Sequence, residues 1–330
     1  MRLGWWGRIG ALALVLGVGT ALAQSDLGAT AASRTGLASV ACAGSLQLLM
    51  DRYLGPSFSR STGYQYQGQA AGSLGLAQEI LAGELHPNVF VPVGQVPMTL
   101  LEPRFTSWAV RFAASPLVVA YYPRGPHAAE LKKIADGKLP IRDLFALMAT
   151  PGFRLGRTDP AVDPQGQAFE MMVRLAEKDL QVSSATGAAD LGGSDGASQI
   201  FSETSLEPTL QAGQLDAASA YLPQAVQLHL PYIGLPPSIN FADPADAKGY
   251  AKVSLIVAPG QKVHGSLLDV EASVLKGPDQ GAGDAFVRYL LTSSGRRLLG
   301  QEGYQQLVPS FVGKVSAVPS SIRRAAARKA

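Results

Sequence analysis

One four-residue turn occurs twice early in this chain, each time between a strand-like run and a helical pattern. Ala43-Gly44-Ser45-Leu46 follows residues 37–42, and Ala71-Gly72-Ser73-Leu74 follows residues 64–67. A strand, a tight small-residue turn and a helix form the half-unit of a parallel crossover. The same alternation continues down the chain, which predicts an α/β protein with mostly parallel strands. The turns also carry chemistry. A small-residue turn opening a helix leaves backbone N–H groups free at the positive end of the helix dipole, where an anion binds. Two such turns facing each other form an oxyanion site without Lys or Arg. Read singly, Ser45 and Ser73 are ordinary helix N-caps; the pair points to a ligand.

The first residues set the compartment. Arg2 and Arg8 precede an apolar run over 9–18, and Ala21-Leu22-Ala23 fits a small-x-small cleavage site. Residues 1–23 read as a secretory signal peptide, too short for a good membrane span, so the expected location is periplasmic. Cys42 is the only cysteine, which excludes a disulfide framework and is read as a buried strand residue. Without Arg2 and Arg8 the balance is 26 basic to 25 acidic residues, or +1. That leaves no broad basic field for nucleic acid. The basic tail 323–329 is read as a solvated, frayed end.

Length favours two lobes. Two β-rich runs, 108–113 and 117–122, are separated by Ser115-Pro116 and read as a crossing from one lobe to the other. The run 253–257 reads as the return crossing. Lobe 1 is expected from 24–113 and 253–330, and lobe 2 from 114–252. Residues 183–198, rich in Ser, Gly, Ala and Asp, read as a flexible loop. Residues 285–299 read as one amphipathic helix, and His86 and His127 as exposed.

Several stretches match one family in its order along the chain. They are the two Ala-Gly-Ser turns, the block Gly156-Arg157-Thr158-Asp159-Pro160-Ala161-Val162-Asp163-Pro164-Gln165-Gly166, and Glu203-Thr204 with residues 210–216. Tyr221, residues 235–240 and residues 293–299 follow. On these residues the chain resembles the substrate-binding proteins of ABC importers for tungstate and molybdate, in the subgroup that wraps the metal in six ligands. The family often has Cys where Gln165 stands and Tyr where Gln167 stands. The resemblance implies a type II periplasmic binding protein fold, two α/β lobes joined by a two-strand hinge, closing over one oxyanion. It implies that Ser45 and Ser73, with Gly44 and Gly72, hydrogen-bond the oxyanion. Asp163 and Glu203 would be carboxylate ligands to its molybdenum or tungsten, with Glu207 as the fallback for Glu203, and Tyr221 would line the pocket. The expected partner is an ABC permease; a monomer without catalysis, cofactor or nucleic acid is expected.

Carboxylates beside an oxyanion repel it by several kcal/mol even at an effective dielectric of ~20. Two arrangements remove the conflict. A carboxyl can hold a proton and donate a hydrogen bond. Alternatively, its oxygen can bond to the central atom, which molybdenum and tungsten accept and sulfur and phosphorus do not readily accept. Asp163 and Glu203 would then select against sulfate. Read from position alone, Asp163 is a helix cap and Glu203 a first-turn acid. Two other readings stand beside this one. One is a binder of sulfate, phosphate or an organic acid. The other is a serine hydrolase using Ser73 in Ala71-Gly72-Ser73-Leu74-Gly75 with His229 or His264 as base.

Overall fold

The computed structural model describes residues 35–192, 198–258 and 260–328. The signal-peptide reading of 1–23 lies outside these residues. The described strands are β1 (Leu37–Ala43), β2 (Gln65–Ala71), β3 (Val89–Val91), β4 (Trp108–Ala114), β5 (Leu117–Tyr121), β6 (Leu155–Thr158) and β7 (Ile200–Phe201). They continue with β8 (Ala217–Tyr221), β9 (Tyr232–Gly234), β10 (Ser254–Ala258), β11 (Gln261–His264), β12 (Asp269–Val274) and β13 (Gln305–Gly313). They build two α/β lobes. One holds a six-stranded sheet in the order β13-β4-β12-β3-β1-β2, the other a five-stranded sheet in the order β7-β6-β8-β5-β9.

The central strands are buried on both faces: all six residues of β12 are buried, as are all five of β5 and all five of β8. The expectation of mostly parallel strands holds only in part. β1 runs parallel to β2 and β3, and β6 runs parallel to β7 and β8. Every antiparallel pairing in these two sheets involves β4, β5 or β12. β4 and β5 flank the outward passage between lobes, and β12 follows the return.

The outward passage is Ser115-Pro116, between β4 and β5. The return differs from the sequence expectation. β10 joins neither large sheet and pairs with β11 as a hairpin. The chain re-enters the six-stranded sheet at β12, and the Ser115 amide donates to Leu268 O at 2.8 Å. The two passages therefore lie side by side.

Four further expectations change. Part of the presumed loop 183–198 is a helix, Ser184–Asp190, whose N-cap Ser183 Oγ accepts the Thr186 amide. The presumed single helix 285–299 is two, Gln280–Leu290 and Ser293–Gln301. Thr292 makes the break: its hydroxyl donates to Tyr289 O and accepts from Gly295 N, ending one helix and capping the next. The basic tail forms a helix, Ser320–Ala327, anchored by fully buried Ile322. His127 is half-buried against Phe153, with ring centroids 5.0 Å apart.

Candidate functional site

The site loops follow the carboxyl ends of parallel strands. Gly44 and Ser45 follow β1, and Gly72 and Ser73 follow β2. Residues 159–163 follow β6, and Tyr221 ends β8. Crevices outside such strand ends are where open α/β sheets bind ligands.

The helices aim the carboxylates. Asp163 is the N-cap of the Pro164–Asp179 helix, with Pro164 at its first position, and Asp163 Oδ1 accepts the Gln165 amide at 2.7 Å. Glu203 opens the Glu203–Gln211 helix and reaches across to the other lobe. Its Oε2 accepts the Gly44 amide and its Oε1 the Ser45 amide, each at 2.9 Å.

Each turn thus faces one carboxylate. A Cβ added at Gly44 would lie 2.8 Å from Glu203 Oε2. One added at Gly72 would lie 2.9 Å from Val162 O and 3.4 Å from Asp163 Oδ2. Glycine is needed at both places for close approach, not for backbone angle. The side chains of Ser45 and Ser73 cap no helix; Gly72 holds the N-cap position before Ser73. Ser73 Oγ accepts the Val93 amide at 3.2 Å. The Ser45 amide, expected to face a ligand, is occupied by Glu203, which leaves the Ser45 hydroxyl.

The centre is buried and incompletely paired. Ser45, Ser73, Asp163, Glu203, Glu207 and Tyr221 are all buried. Among the described residues, the Ser45 hydroxyl, Asp163 Oδ2, Glu207 Oε1 and the Tyr221 hydroxyl have no hydrogen bond of good geometry. Buried polar atoms are normally paired, so four without a partner in one place make this a candidate binding centre. Beside them, a cavity of about 290 Å³ is lined by Gly44, Ser45, Arg52, Glu203, Glu207 and Gln224.

The electrostatics follow from this burial. Burial pushes the Asp163 carboxyl well up, Glu203 adds to the push, and the Gln165 amide opposes it. Burial also raises Glu203, against the hydrogen bonds from Ser45 and Gly44. Glu207, one turn on from Glu203, is pushed up to about 8, first by burial and then by Glu203. Tyr221 is raised by burial and by the two carboxylates, Asp163 and Glu203. These mutual effects place the three acids and Tyr221 around one centre.

The sequence reading missed two supports. Gln165 Nε2 donates to Gln224 Oε1 at 2.9 Å, and Gln224 Oε1 also accepts the Tyr221 amide at 2.8 Å. Ser219 Oγ donates to Gln165 Oε1 at 3.0 Å, so a buried amide chain fixes Tyr221. Tyr304, buried behind the first turn, donates its hydroxyl to Ser45 O at 3.1 Å. Gln165 stands in the matched block, but its partners are distant in sequence; nothing in the pattern singled out Tyr304.

Hydrolase geometry is absent among the described residues. Ser73 Oγ is engaged by Val93 N, and His229 and His264 are exposed, His264 on the hairpin strand β11. A nucleophile needs a base in hydrogen-bond reach, and neither histidine supplies one.

Known proteins resemble this chain. The chain is 32% identical over 227 residues to a putative ABC transporter molybdenum-binding protein of Haloferax volcanii, covering 69% of this chain and 68% of the relative. It is 24% identical over 270 residues to a molybdate/tungstate-binding protein of Pyrococcus abyssi, covering 74% and 75%. The periplasmic molybdate-binding protein of Azotobacter vinelandii superposes with a TM-score of 0.55 at 15% identity, over 81% of this chain and 97% of that one, which shows the shared periplasmic binding protein fold. The model of the bacterial extracellular solute-binding protein family matches residues 38–305, so the chain belongs to that family and is a binding protein, not an enzyme.

Proposed function

We propose that this protein captures molybdate or tungstate in the cleft between its lobes, outside the cytoplasm, and delivers it to an ABC permease. The observation that carries this reading is the pairing of each Ala-Gly-Ser turn with one buried carboxylate, Gly44 with Glu203 and Gly72 with Asp163. Relatives named for molybdenum, molybdate and tungstate support the same ligand class.

The Ser45 hydroxyl, the Ser73 hydroxyl and the Tyr221 hydroxyl donate to the oxo groups. Asp163 and Glu203 bond through oxygen to the central atom, which turns their repulsion of a dianion into attraction for a centre that accepts six ligands. Sulfate cannot make that exchange and meets two buried acids instead. The tight approach at Gly44 and Gly72 keeps the two carboxylates at the floor of the site. Closure joins the lobes over the anion, with the side-by-side passages at Ser115 and Leu268 as the hinge.

A thermal-shift panel on the anion-stripped protein tests this. Tungstate, molybdate, sulfate, phosphate and citrate are compared. A ligand at a thousandfold its Kd stabilises the fold by ~4 kcal/mol, a shift of several degrees. The expected result is a shift with tungstate and molybdate and little with the others. A shift with sulfate or phosphate alone would overturn the metal-coordination reading.

A further inference from the structure

Away from the cleft, the outer helices of the six-stranded lobe form a cationic cavity of about 540 Å³. Arg288 at the end of the Gln280–Leu290 helix lines it, with Arg324 and Arg328 from the C-terminal helical segment. Ser293, Ser294 and Ser321 supply hydroxyls. All three arginines are exposed, and among the described residues none makes an ion pair. Asp284, one turn before Arg288, is the acid that feels its charge, and it does not line the cavity.

The sequence concentrates charge in the same place. From Ala285 to Ala330 there are eight Lys and Arg against one acid, Glu302. The preceding 284 residues carry 20 basic and 24 acidic residues. The near-neutral average therefore conceals a basic end, and folding brings three of its arginines around one hollow. Like charges held together without counter-charge repel, and an anion relieves that repulsion. Guanidinium forks with hydroxyls suit a phosphate group, which takes bidentate hydrogen bonds. The volume falls within the ~300–1,000 Å³ of small-molecule sites and exceeds what one bare tetrahedral anion fills.

The structure assigns to this cavity a phosphate-bearing anion larger than inorganic phosphate, bound by Arg288, Arg324 and Arg328. A soluble phosphate ester and the headgroup of an anionic phospholipid share that chemistry. The site is independent of the cleft and of the ligand proposed there.

The test compares the wild-type protein with R288Q/R324Q/R328Q and with a control, K314Q/R297Q/R323Q, which removes the same charge outside the cavity. Arg288, Arg297, Arg323 and Arg324 lie on the helices Gln280–Leu290, Ser293–Gln301 and Ser320–Ala327, Arg328 follows the last of them and Lys314 follows β13; all six side chains are exposed, so both variants are expected to fold. Binding of glycerol 3-phosphate is read by calorimetry, and binding to phosphatidylglycerol vesicles, against phosphatidylcholine vesicles, by co-sedimentation. The expected result is binding of at least one probe that weakens about tenfold or more in the cavity variant and less than threefold in the control. Glycerol 3-phosphate binding without vesicle binding identifies a soluble ester; phosphatidylglycerol binding identifies a lipid headgroup. Equal losses in both variants, survival of binding in the cavity variant, or no binding of either probe overturns the assignment.

Discussion

Glu203 and Ser45 are 158 residues apart in sequence, and the Ser45 amide donates to Glu203 Oε1 at 2.9 Å. The bond crosses from the β1 turn of one lobe to the first residue of a helix on the other. With the Gly44 bond to Oε2, both oxygens of one carboxylate are held by adjacent amides of the first turn. The turn thus holds a protein carboxylate at fixed orientation, and in the proposed site that carboxylate belongs to the ligand set.

Replacing Gly44 tests the fit between turn and carboxylate. A methyl group there would meet Glu203 Oε2 at 2.8 Å and displace it. Gly44→Ala is expected to weaken tungstate binding about tenfold or more, equivalent to ~1.4 kcal/mol, measured by calorimetry. Unchanged affinity would show that the position of Glu203 does not matter to binding.

The proposed function assigns selectivity to the acids. Substituting Ala for both Asp163 and Glu203 is expected to lower tungstate affinity and to reduce discrimination against sulfate. Competition calorimetry with the two anions reads both effects. The prediction fails if the ratio of the two affinities is unchanged.

The unliganded protein is expected to lose stability as pH rises from about 4.5 to about 8. Glu207 has an ordinary value of 4.5 and is pushed up to about 8 in the fold, chiefly by burial. Its folded form prefers the proton, so its contribution is fully present below 4.5 and is lost as pH rises through about 8. Asp163 and Glu203 shift in the same direction. Thermal melts between those limits are expected to show falling Tm, at up to about 1.4 kcal/mol per pH unit from one such group. Glu207→Gln is expected to flatten the profile; an unchanged slope would remove Glu207 from the account.

Tyr304 steadies the first turn from behind. Tyr304→Phe removes its hydrogen bond to Ser45 O and leaves a buried carbonyl without that donor. A loss of about 1 kcal/mol in stability is expected from denaturant unfolding, together with weaker oxyanion binding. Gln165→Ala should act similarly on Tyr221, through Gln224.

The two turns and Asp163 were legible in the sequence because each is local. A small-residue turn between strand and helix, or Asp before Pro at a helix start, carries its signal within a few residues. The passage at Ser115-Pro116 was legible for the same reason. The return was not, because residues 253–257 have the composition of a strand and nothing local says that β11 is their partner. Strand direction was hidden too, since a buried strand has the same pattern either way, as β5 and β8 show. The break at Thr292 interrupts a continuous apolar stripe and is set by one hydroxyl. Support from Gln224 and Tyr304 depends on contacts 59 and 259 residues apart, which no spacing reveals.

The central claim is that two carboxylates bond to the metal atom of the bound anion. X-ray absorption at the tungsten edge of the tungstate-loaded protein measures this directly. A six-coordinate centre is expected in the wild type, with fewer oxygen neighbours in the Asp163→Ala/Glu203→Ala variant. A four-coordinate, tetrahedral tungstate in the wild type would contradict it and leave the acids as protonated hydrogen-bond donors.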